Sequence, residues 1–218
     1  MNDCLPSRLW LIRHGQTAWN EAGRCLGRTD LPLSENGKEA VIVLSQTNVF
    51  SKCDKVYCSP ALRAIETAIL LKNGRRQQIE ICEELQEIDF GRWEGLTWQD
   101  IIQSHFQEWV VWQKDPLNSA PYGGETLREV LTRIMKFLLN LNQNKNYQTV
   151  LLIGHGGSFN VLLSYLFGIN LDVIWTFKLK PASLSEVLVY PNRSFLTLFN
   201  YTNGIKNNCL EVLDEIPI

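Results

Sequence analysis

The chain has 218 residues, of which 45% are hydrophobic and 20% charged, and its formal net charge is −2. These values predict one globular domain with a full core, residues 1–218, and exclude a general electrostatic attraction to nucleic acid or to a membrane. No basic segment followed by a long apolar run opens the sequence, and the apolar run 9–12 is too short to cross a bilayer, so we expect neither a secretory signal nor a membrane span.

The first third of the chain alternates short apolar runs with segments typical of helices. We predict a strand at 9–12, a helix from 35 to about 46 with Ser34 as its N-cap, and a strand at 55–58. A helix to about residue 71 follows, capped by Ser59 and opened by Pro60, and then a strand at 79–82. The alternation predicts an α/β fold whose mostly parallel sheet is covered by helices on both faces.

The stretch 91–124 differs from the rest because it is rich in aromatic residues and is broken by Pro116 and Pro121. It predicts a partly helical lid, inserted into the domain at about residues 96–124. Phe106, Trp109 and Trp112 are expected to form a small core inside this lid, because buried aromatic rings usually pack on one another. Stacking of these rings on an aromatic ligand is the alternative.

The last third returns to the alternating pattern. A capping box at Thr126 begins a helix to about residue 141, followed by a strand at 149–153 and a helix at 158–167. Strands at 185–190 and 194–200 are predicted to form a hairpin. An exposed edge between residues 184 and 198 would allow a homodimer, and a covered edge is an equal alternative.

Six cysteines are distributed along the chain without a C-x-x-C pair and without the spacing of metal ligands. Without a secretory signal, such cysteines are typical of reduced thiols, so we expect a cytoplasmic protein without disulfides. The six are Cys4, Cys25, Cys53, Cys58, Cys82 and Cys209.

Two short segments share one form: LIRHG at 11–15 and LIGHG at 152–156 each place a histidine and a glycine after an apolar strand. If both strands are parallel in one sheet, His14 and His155 emerge at the carboxyl edge, where open α/β sheets bind ligands. A neutral imidazole can attack phosphorus and carry the phosphoryl group covalently, which favours His14 as a nucleophile. The alternatives are a packed structural histidine at 14 and a histidine at 155 that only caps the next helix.

Arginine and carboxyl groups complete the candidate chemistry. Arg13 and Arg63 have the planar guanidinium that matches the oxygens of a transferring phosphoryl group, although Arg63 could equally lie on a solvated surface. The segment 83–95 offers five acids for protonation of a leaving group, and spacing does not choose among them. His105 lies in a polar stretch and is expected at the surface. No metal-ligand motif and no phosphate-binding G-x-x-x-x-G-K loop occurs, so we expect no catalytic metal and no nucleotide cofactor.

The segment RHGQTAWN, residues 13–20, resembles the signature of the histidine phosphatase superfamily, in its phosphoglycerate-mutase-like branch. The resemblance continues in order through LGRTDLPLSENGKEA, SPALRAIETA, LQEIDFGRWEG, YGGETL and LIGHGG, and covers roughly residues 8–180. Six motifs in sequence are far more specific than any one of them. The resemblance implies a three-layer α/β/α sandwich that acts on a small-molecule phosphomonoester without a metal or other cofactor.

Position by position, the resemblance also implies roles for six residues. Matched to the motifs of the family, they are His14 as the phosphorylated nucleophile, Arg13 and Arg63 as phosphate clamps, Asn20 as a phosphate contact, Glu87 as the proton donor and His155 as the second pocket histidine.

Within the superfamily, the chain resembles the phosphatases more than the mutases, because no long insertion follows Trp93-Glu94-Gly95. The stretches LGRTDLPLS, FGRWEGLTW and GHGG are most similar to alpha-ribazole phosphatases, which implies alpha-ribazole 5'-phosphate as substrate and a place in cobalamin biosynthesis. Phosphoserine phosphatases, sugar-phosphate phosphatases and broad-specificity phosphatases are similar too. Cofactor-dependent phosphoglycerate mutase and a non-catalytic phosphate binder are the remaining alternatives.

Overall fold

The computed structural model describes residues 7–74, 76–143, 149–173 and 175–202. Within these ranges, six strands form one sheet: β1 (Ser7–Arg13), β2 (Lys55–Cys58), β3 (Ile79–Ile81), β4 (Thr149–Gly154), β5 (Ser183–Tyr190) and β6 (Arg193–Tyr201). The helices are α1 (Ala18–Glu21), α2 (Glu35–Ser45), α3 (Val49–Lys52), α4 (Leu62–Lys72), α5 (Trp98–Ser104), α6 (Phe106–Lys114), α7 (Leu127–Gln143) and α8 (Gly156–Phe167). None of the helices in these ranges is long and apolar enough to span a membrane.

The strands lie in the order β3-β2-β4-β1-β5-β6. The first four are parallel to one another, whereas β5 pairs antiparallel with both β1 and β6. Parallel strands need long crossover connections, and α2, α4 and α7 lie in the connections that join β1, β2, β3 and β4 in turn. The predictions of a mostly parallel sheet and of a C-terminal hairpin are therefore confirmed.

Both faces of the sheet are buried, and the alternation of side chains along the central strands shows how. Leu9 and Leu11 of β1 belong to one core cluster, to which α7 and α8 contribute. Trp10 and Ile12 belong to a second cluster on the opposite face, to which α2 and α4 contribute. Because successive residues of a strand point to opposite faces, a sheet buried in this way reads as a continuous apolar run. The three-layer α/β/α sandwich is confirmed.

Two of the four predicted helix starts, those of α2 and α7, agree with the structure. The Ser34 hydroxyl accepts a hydrogen bond from the Gly37 amide at 3.1 Å, and Thr126 and Glu129 form the expected capping box. The starts of α4 and α8 were each predicted two residues away from their observed positions, and α8 begins at Gly156 and not at residue 158. The Ser59 hydroxyl accepts a hydrogen bond from the Ala61 amide at 3.3 Å, but the helix begins at Leu62 and not at Pro60.

The aromatic residues of the predicted lid pack partly as expected. Trp109 and Trp112 stack at 5.7 Å between ring centroids and contact Trp93 and Trp98, so these rings form a small aromatic core. Phe106 lies outside that core with 59% of its surface exposed, and its prediction as a core residue was wrong. His105, which was expected at the surface, is partly exposed, with 24% of its side-chain surface accessible beside the carboxylate of Glu108.

The four described cysteines are unpaired and buried, which confirms the prediction of free thiols for them. Burial raises the pKa of Cys53 to about 11 and that of Cys58 and Cys82 to about 12, and it also raises the pKa of Cys25. Cys4 and Cys209 lie outside the described residues.

Candidate active site

The carboxyl edge of the parallel strands brings the two histidines of the shared motif together. β1 and β4 are adjacent, with Arg13 opposite Gly154, and the His14 amide donates to the Gly154 carbonyl at 3.0 Å. His14 and His155 follow these strands, and their rings lie edge to face with centroids 5.1 Å apart. The hypothesis that both histidines emerge at one edge of the sheet is confirmed.

His14 is held in one tautomer by its neighbours. The ring is 2% exposed, and its Nδ1 lies 2.6 Å from the carbonyl oxygen of Gly15, so Nδ1 carries the proton and donates it. Nε2 then keeps its lone pair and lies 3.3 Å from Nε of Arg63, whose N–H donates to it. The arrangement leaves Nε2 as an unprotonated nitrogen beside a cation.

Two arginines border the histidine pair. Arg63 is 1% exposed and donates to the carbonyl oxygens of Gly27 at 2.7 Å and Thr29 at 3.1 Å, so its interpretation as a solvated surface residue was wrong. Arg13 donates from Nη1 to the Leu179 carbonyl at 2.6 Å. Its buried Nε has no hydrogen-bond partner among the described residues, which leaves a guanidinium N–H for a ligand.

The electrostatics of the pocket keep both imidazoles neutral. Burial, followed by the charges of Arg63 and Arg13, holds the pKa of His14 well below its usual value of 6.5. The pKa of His155 is likewise lowered well below 6.5, chiefly by burial and then by Arg63. A cationic, desolvated pocket disfavours imidazolium and favours an anion in the same place.

Glu87 is the acid that the structure places at this edge. Its carboxyl oxygens accept hydrogen bonds from the amides of Gly157 at 3.0 Å and Ser158 at 2.8 Å, in the first turn of α8. A Cβ atom at Gly157 would lie only 2.6 Å from Oε1 of Glu87, so glycine is required for this approach. Another acid of the same segment, Glu84, instead pairs with Lys136 at 2.8 Å.

His155 does not cap α8, since its side chain makes no capping hydrogen bond and the Glu87 carboxylate occupies the amides. Its Nε2 lies 2.7 Å from the Ser59 hydroxyl, and its buried Nδ1 has no partner among the described residues.

Asn20 is half-buried on α1, where its Oδ1 accepts hydrogen bonds from the amide and hydroxyl of Thr17. These contacts join Asn20 to Thr17, and its role as a phosphate contact stays a prediction.

Two further residues support the site and were missed from the sequence. Glu94 accepts hydrogen bonds from the amides of Arg28 at 2.6 Å and Thr29 at 2.7 Å, and also from the Thr29 hydroxyl. It thereby fixes the loop whose carbonyl oxygens hold Arg63. Glu94 lies in the motif LQEIDFGRWEG, and its spacing does not distinguish it from the other acids of the segment 83–95.

Arg133 supports Glu87 in the same indirect way. It donates to the carbonyl oxygens of Glu84, Gln86 and Glu87 and forms an ion pair with Glu125 at 2.9 Å. The segment that carries Glu87 is therefore anchored to α7. No sequence signal separates Arg133 from the other charged residues of its helix.

No group of three or more His, Cys, Asp or Glu side chains in the described ranges is arranged to hold a metal ion. The nitrogen groups that lie beside His14 are instead the guanidinium of Arg63 and the imidazole of His155. Such donors suit the oxygens of a phosphoryl group.

We expect the free energy of unfolding to fall as the pH is lowered from about 6.5 toward 5, where unfolded histidines bind protons. His14 and His155 resist protonation in the folded state, because their folded pKa values are well below 6.5. Stability is therefore complete above the unfolded pKa and is lost on acidification, by up to about 1.4 kcal/mol per pH unit for each histidine. Urea unfolding at several pH values measures the slope, and an equal slope in His155→Gln would contradict the prediction.

Comparison with known proteins agrees with this geometry. The model of the histidine phosphatase superfamily (branch 1) matches residues 9–202. The adenosylcobalamin/alpha-ribazole phosphatase of Escherichia coli K12 is 31% identical over 191 residues, which cover 88% of this chain and 93% of the relative. Phosphoserine phosphatase 1 of Hydrogenobacter thermophilus is 28% identical over 195 residues, covering 89% of this chain and 92% of the relative.

The solved structure of the alpha-ribazole phosphatase from Shigella flexneri has a TM-score of 0.81 at 30% identity, and the match covers 92% of this chain and 100% of that chain. The sequence match and the structural match thus indicate the same family over nearly all of the described residues. The chain is a phosphatase that belongs to branch 1 of the histidine phosphatase superfamily.

Proposed function

We propose that the protein hydrolyses small-molecule phosphomonoesters without a metal ion, through a phosphohistidine formed on Nε2 of His14. The observation that carries this proposal is the unprotonated Nε2, 3.3 Å from the Arg63 guanidinium in a buried pocket. A neutral, correctly oriented imidazole beside a cation is a nucleophile that already has a countercharge for the phosphoryl group.

In the first half of the reaction, the lone pair of His14 Nε2 attacks phosphorus, and the bond from phosphorus to the ester oxygen breaks. Glu87 begins this step as the neutral carboxylic acid, and the departing oxygen takes its proton. The two α8 amides that contact Glu87 stabilise the carboxylate that this transfer leaves behind. Arg13, Arg63 and His155 contribute N–H groups to the phosphoryl oxygens, and the side-chain amide of Asn20 adds another.

In the second half, water attacks the phosphohistidine. The Glu87 carboxylate accepts a proton from that water, the bond from phosphorus to Nε2 breaks, and inorganic phosphate leaves. Glu87 and His14 return to their starting states, so one acid serves both half-reactions. No step requires a metal ion, because the arginines and histidines supply the positive charge and N–H donors.

The substrate that we propose is alpha-ribazole 5'-phosphate, with a place in cobalamin biosynthesis. Support comes from the names of the Escherichia coli and Shigella flexneri proteins, which are 31% and 30% identical in sequence to this chain. Phosphoserine is the second candidate, and the Hydrogenobacter thermophilus relative favours it.

The test is phosphate release in the presence of a chelator, from alpha-ribazole 5'-phosphate, phosphoserine, 3-phosphoglycerate and several sugar phosphates. We expect kcat/KM for alpha-ribazole 5'-phosphate to exceed the others by about 100-fold, or near 3 kcal/mol of discrimination. A preference of that size for phosphoserine would replace the substrate, and a flat profile would indicate a broad-specificity phosphatase. Loss of activity in chelator would contradict the metal-free mechanism. Isomerisation of 3-phosphoglycerate with a bisphosphorylated primer, without free phosphate, would indicate a mutase.

A further inference from the structure

Ser59 lies directly behind the second histidine and belongs to no step of the mechanism above. It follows β2, and its amide donates to the Ile153 carbonyl of β4 at 2.9 Å, so the sheet fixes its position. Its side chain is fully buried, and its hydroxyl oxygen lies 2.7 Å from Nε2 of His155. This contact joins the end of one parallel strand to the histidine that follows its neighbour.

The hydrogen-bond partners of this pair decide where the protons lie. The Ser59 oxygen already accepts from the Ala61 amide at 3.3 Å, and among the described residues His155 Nε2 is the acceptor within reach of its hydroxyl proton. If Nε2 instead donated to Ser59, two buried groups would be unsatisfied: the serine hydroxyl proton and the lone pair of His155 Nδ1. Donation from Ser59 leaves only one unsatisfied group, the Nδ1–H of His155.

An unsatisfied buried N–H is costly unless a ligand accepts from it. The His155 ring lies 5.1 Å from the His14 ring between their centroids, which is close enough for a group bonded to His14 to meet it. A phosphoryl oxygen accepts hydrogen bonds and never donates when fully ionised. In the opposite tautomer, Nδ1 would offer a lone pair instead of an N–H to a ligand oxygen, and the two would repel each other.

We propose that Ser59 is a positioning residue, which holds His155 in the tautomer protonated on Nδ1 so that the ring donates to the phosphoryl group on His14. The inference rests on the proposed phosphatase function for the identity of the acceptor. The tautomer itself is a property of the free protein. The same logic operates where a second group fixes the tautomer of a catalytic or metal-bound histidine.

The first test is the ¹⁵N NMR spectrum of histidine-labelled protein without ligand, with the His155 signals assigned by comparison with His155→Gln. We expect the wild-type signals of a neutral ring with the proton on Nδ1. In Ser59→Ala the proton is expected to move partly or wholly to Nε2. Ser59→Thr keeps a hydroxyl and is expected to restore the wild-type pattern. A wild-type ring protonated on Nε2 would overturn the proposal without any use of a variant.

The second test is activity. Ser59→Ala is expected to lower kcat about 10- to 100-fold, the usual cost of removing a group that orients a histidine. Ser59→Thr should recover most of that loss. Ser164→Ala removes a different buried hydroxyl, which lies on α8, and should retain wild-type kcat. Unchanged kcat in Ser59→Ala with a shifted tautomer would overturn the link to catalysis. The predicted tautomers in a protein without phosphatase activity would uphold the role of Ser59 and overturn the proposed function instead.

Discussion

Replacement of His14 with alanine is expected to lower the rate of phosphate release by at least about 10⁴-fold, because the variant lacks the atom that carries the covalent pathway. In the wild-type protein, a base quench during turnover should trap a phosphoryl group on His14, since phosphohistidine survives base and is lost in acid. Mass spectrometry of the digested protein locates the modified residue. The variant should give no trapped species with any phosphomonoester.

The matched control is His105→Ala, which removes the histidine that directly precedes α6 and lies beside Glu108, outside the contacts described for His14. It should form the phosphoenzyme and release phosphate at close to the wild-type rate. Circular dichroism of both variants checks that the fold is intact. Full activity in His14→Ala, or a phosphoryl group trapped on another residue, would refute the assignment of the nucleophile.

Replacement of Glu87 with glutamine is expected to affect substrates according to their leaving groups. Alkyl phosphates such as phosphoserine need a proton on the departing oxygen, so their turnover should fall by about 10²- to 10⁴-fold. With p-nitrophenyl phosphate the leaving group needs no proton, so the first turnover should still occur. Hydrolysis of the phosphoenzyme remains slow, and a burst of p-nitrophenol equal to the enzyme concentration should follow.

Stopped-flow absorbance measures that burst, and the same base quench shows whether phosphohistidine accumulates. Glu84→Gln is the matched control, because Glu84 lies three residues earlier and pairs with Lys136 on the protein surface. It should behave as the wild type with both substrates. Equal loss of the first turnover for both leaving groups would show that Glu87 does not act as the acid.

The layers of the fold could be predicted because the strands are buried on both faces. Runs such as Leu9–Ile12 are apolar at every position, and such runs at regular intervals are compatible with few folds other than a covered parallel sheet. Helix starts were less predictable. The pair Ser59-Pro60 has the residue types of a cap and a first turn, but Ser59 is held by β4 and by His155, so α4 begins at Leu62.

Some residues of the site could be predicted from the sequence, and others could not. His14, His155 and Arg13 follow or end strands of the sheet, and strand order alone places them on one edge. The choice of Glu87 among five neighbouring acids depends on which carboxylate reaches the first turn of α8, and a linear sequence does not contain that distance. Contacts such as those of Arg133 and Ser59 join segments far apart in the chain, and no spacing rule detects them.

The four buried thiols give each layer of the sandwich a reporter of its own. Cys25 and Cys82 lie in the core on the α7–α8 side of the sheet, whereas Cys53 and Cys58 lie in the core on the α2–α4 side. Alkylating reagents attack the thiolate, and burial both shields these sulfurs and keeps them protonated. The rate at which each pair of thiols is labelled therefore reports how often that side of the core opens. Equal labelling rates for the two pairs in the native protein would indicate that both core clusters open together, and different rates that they open separately.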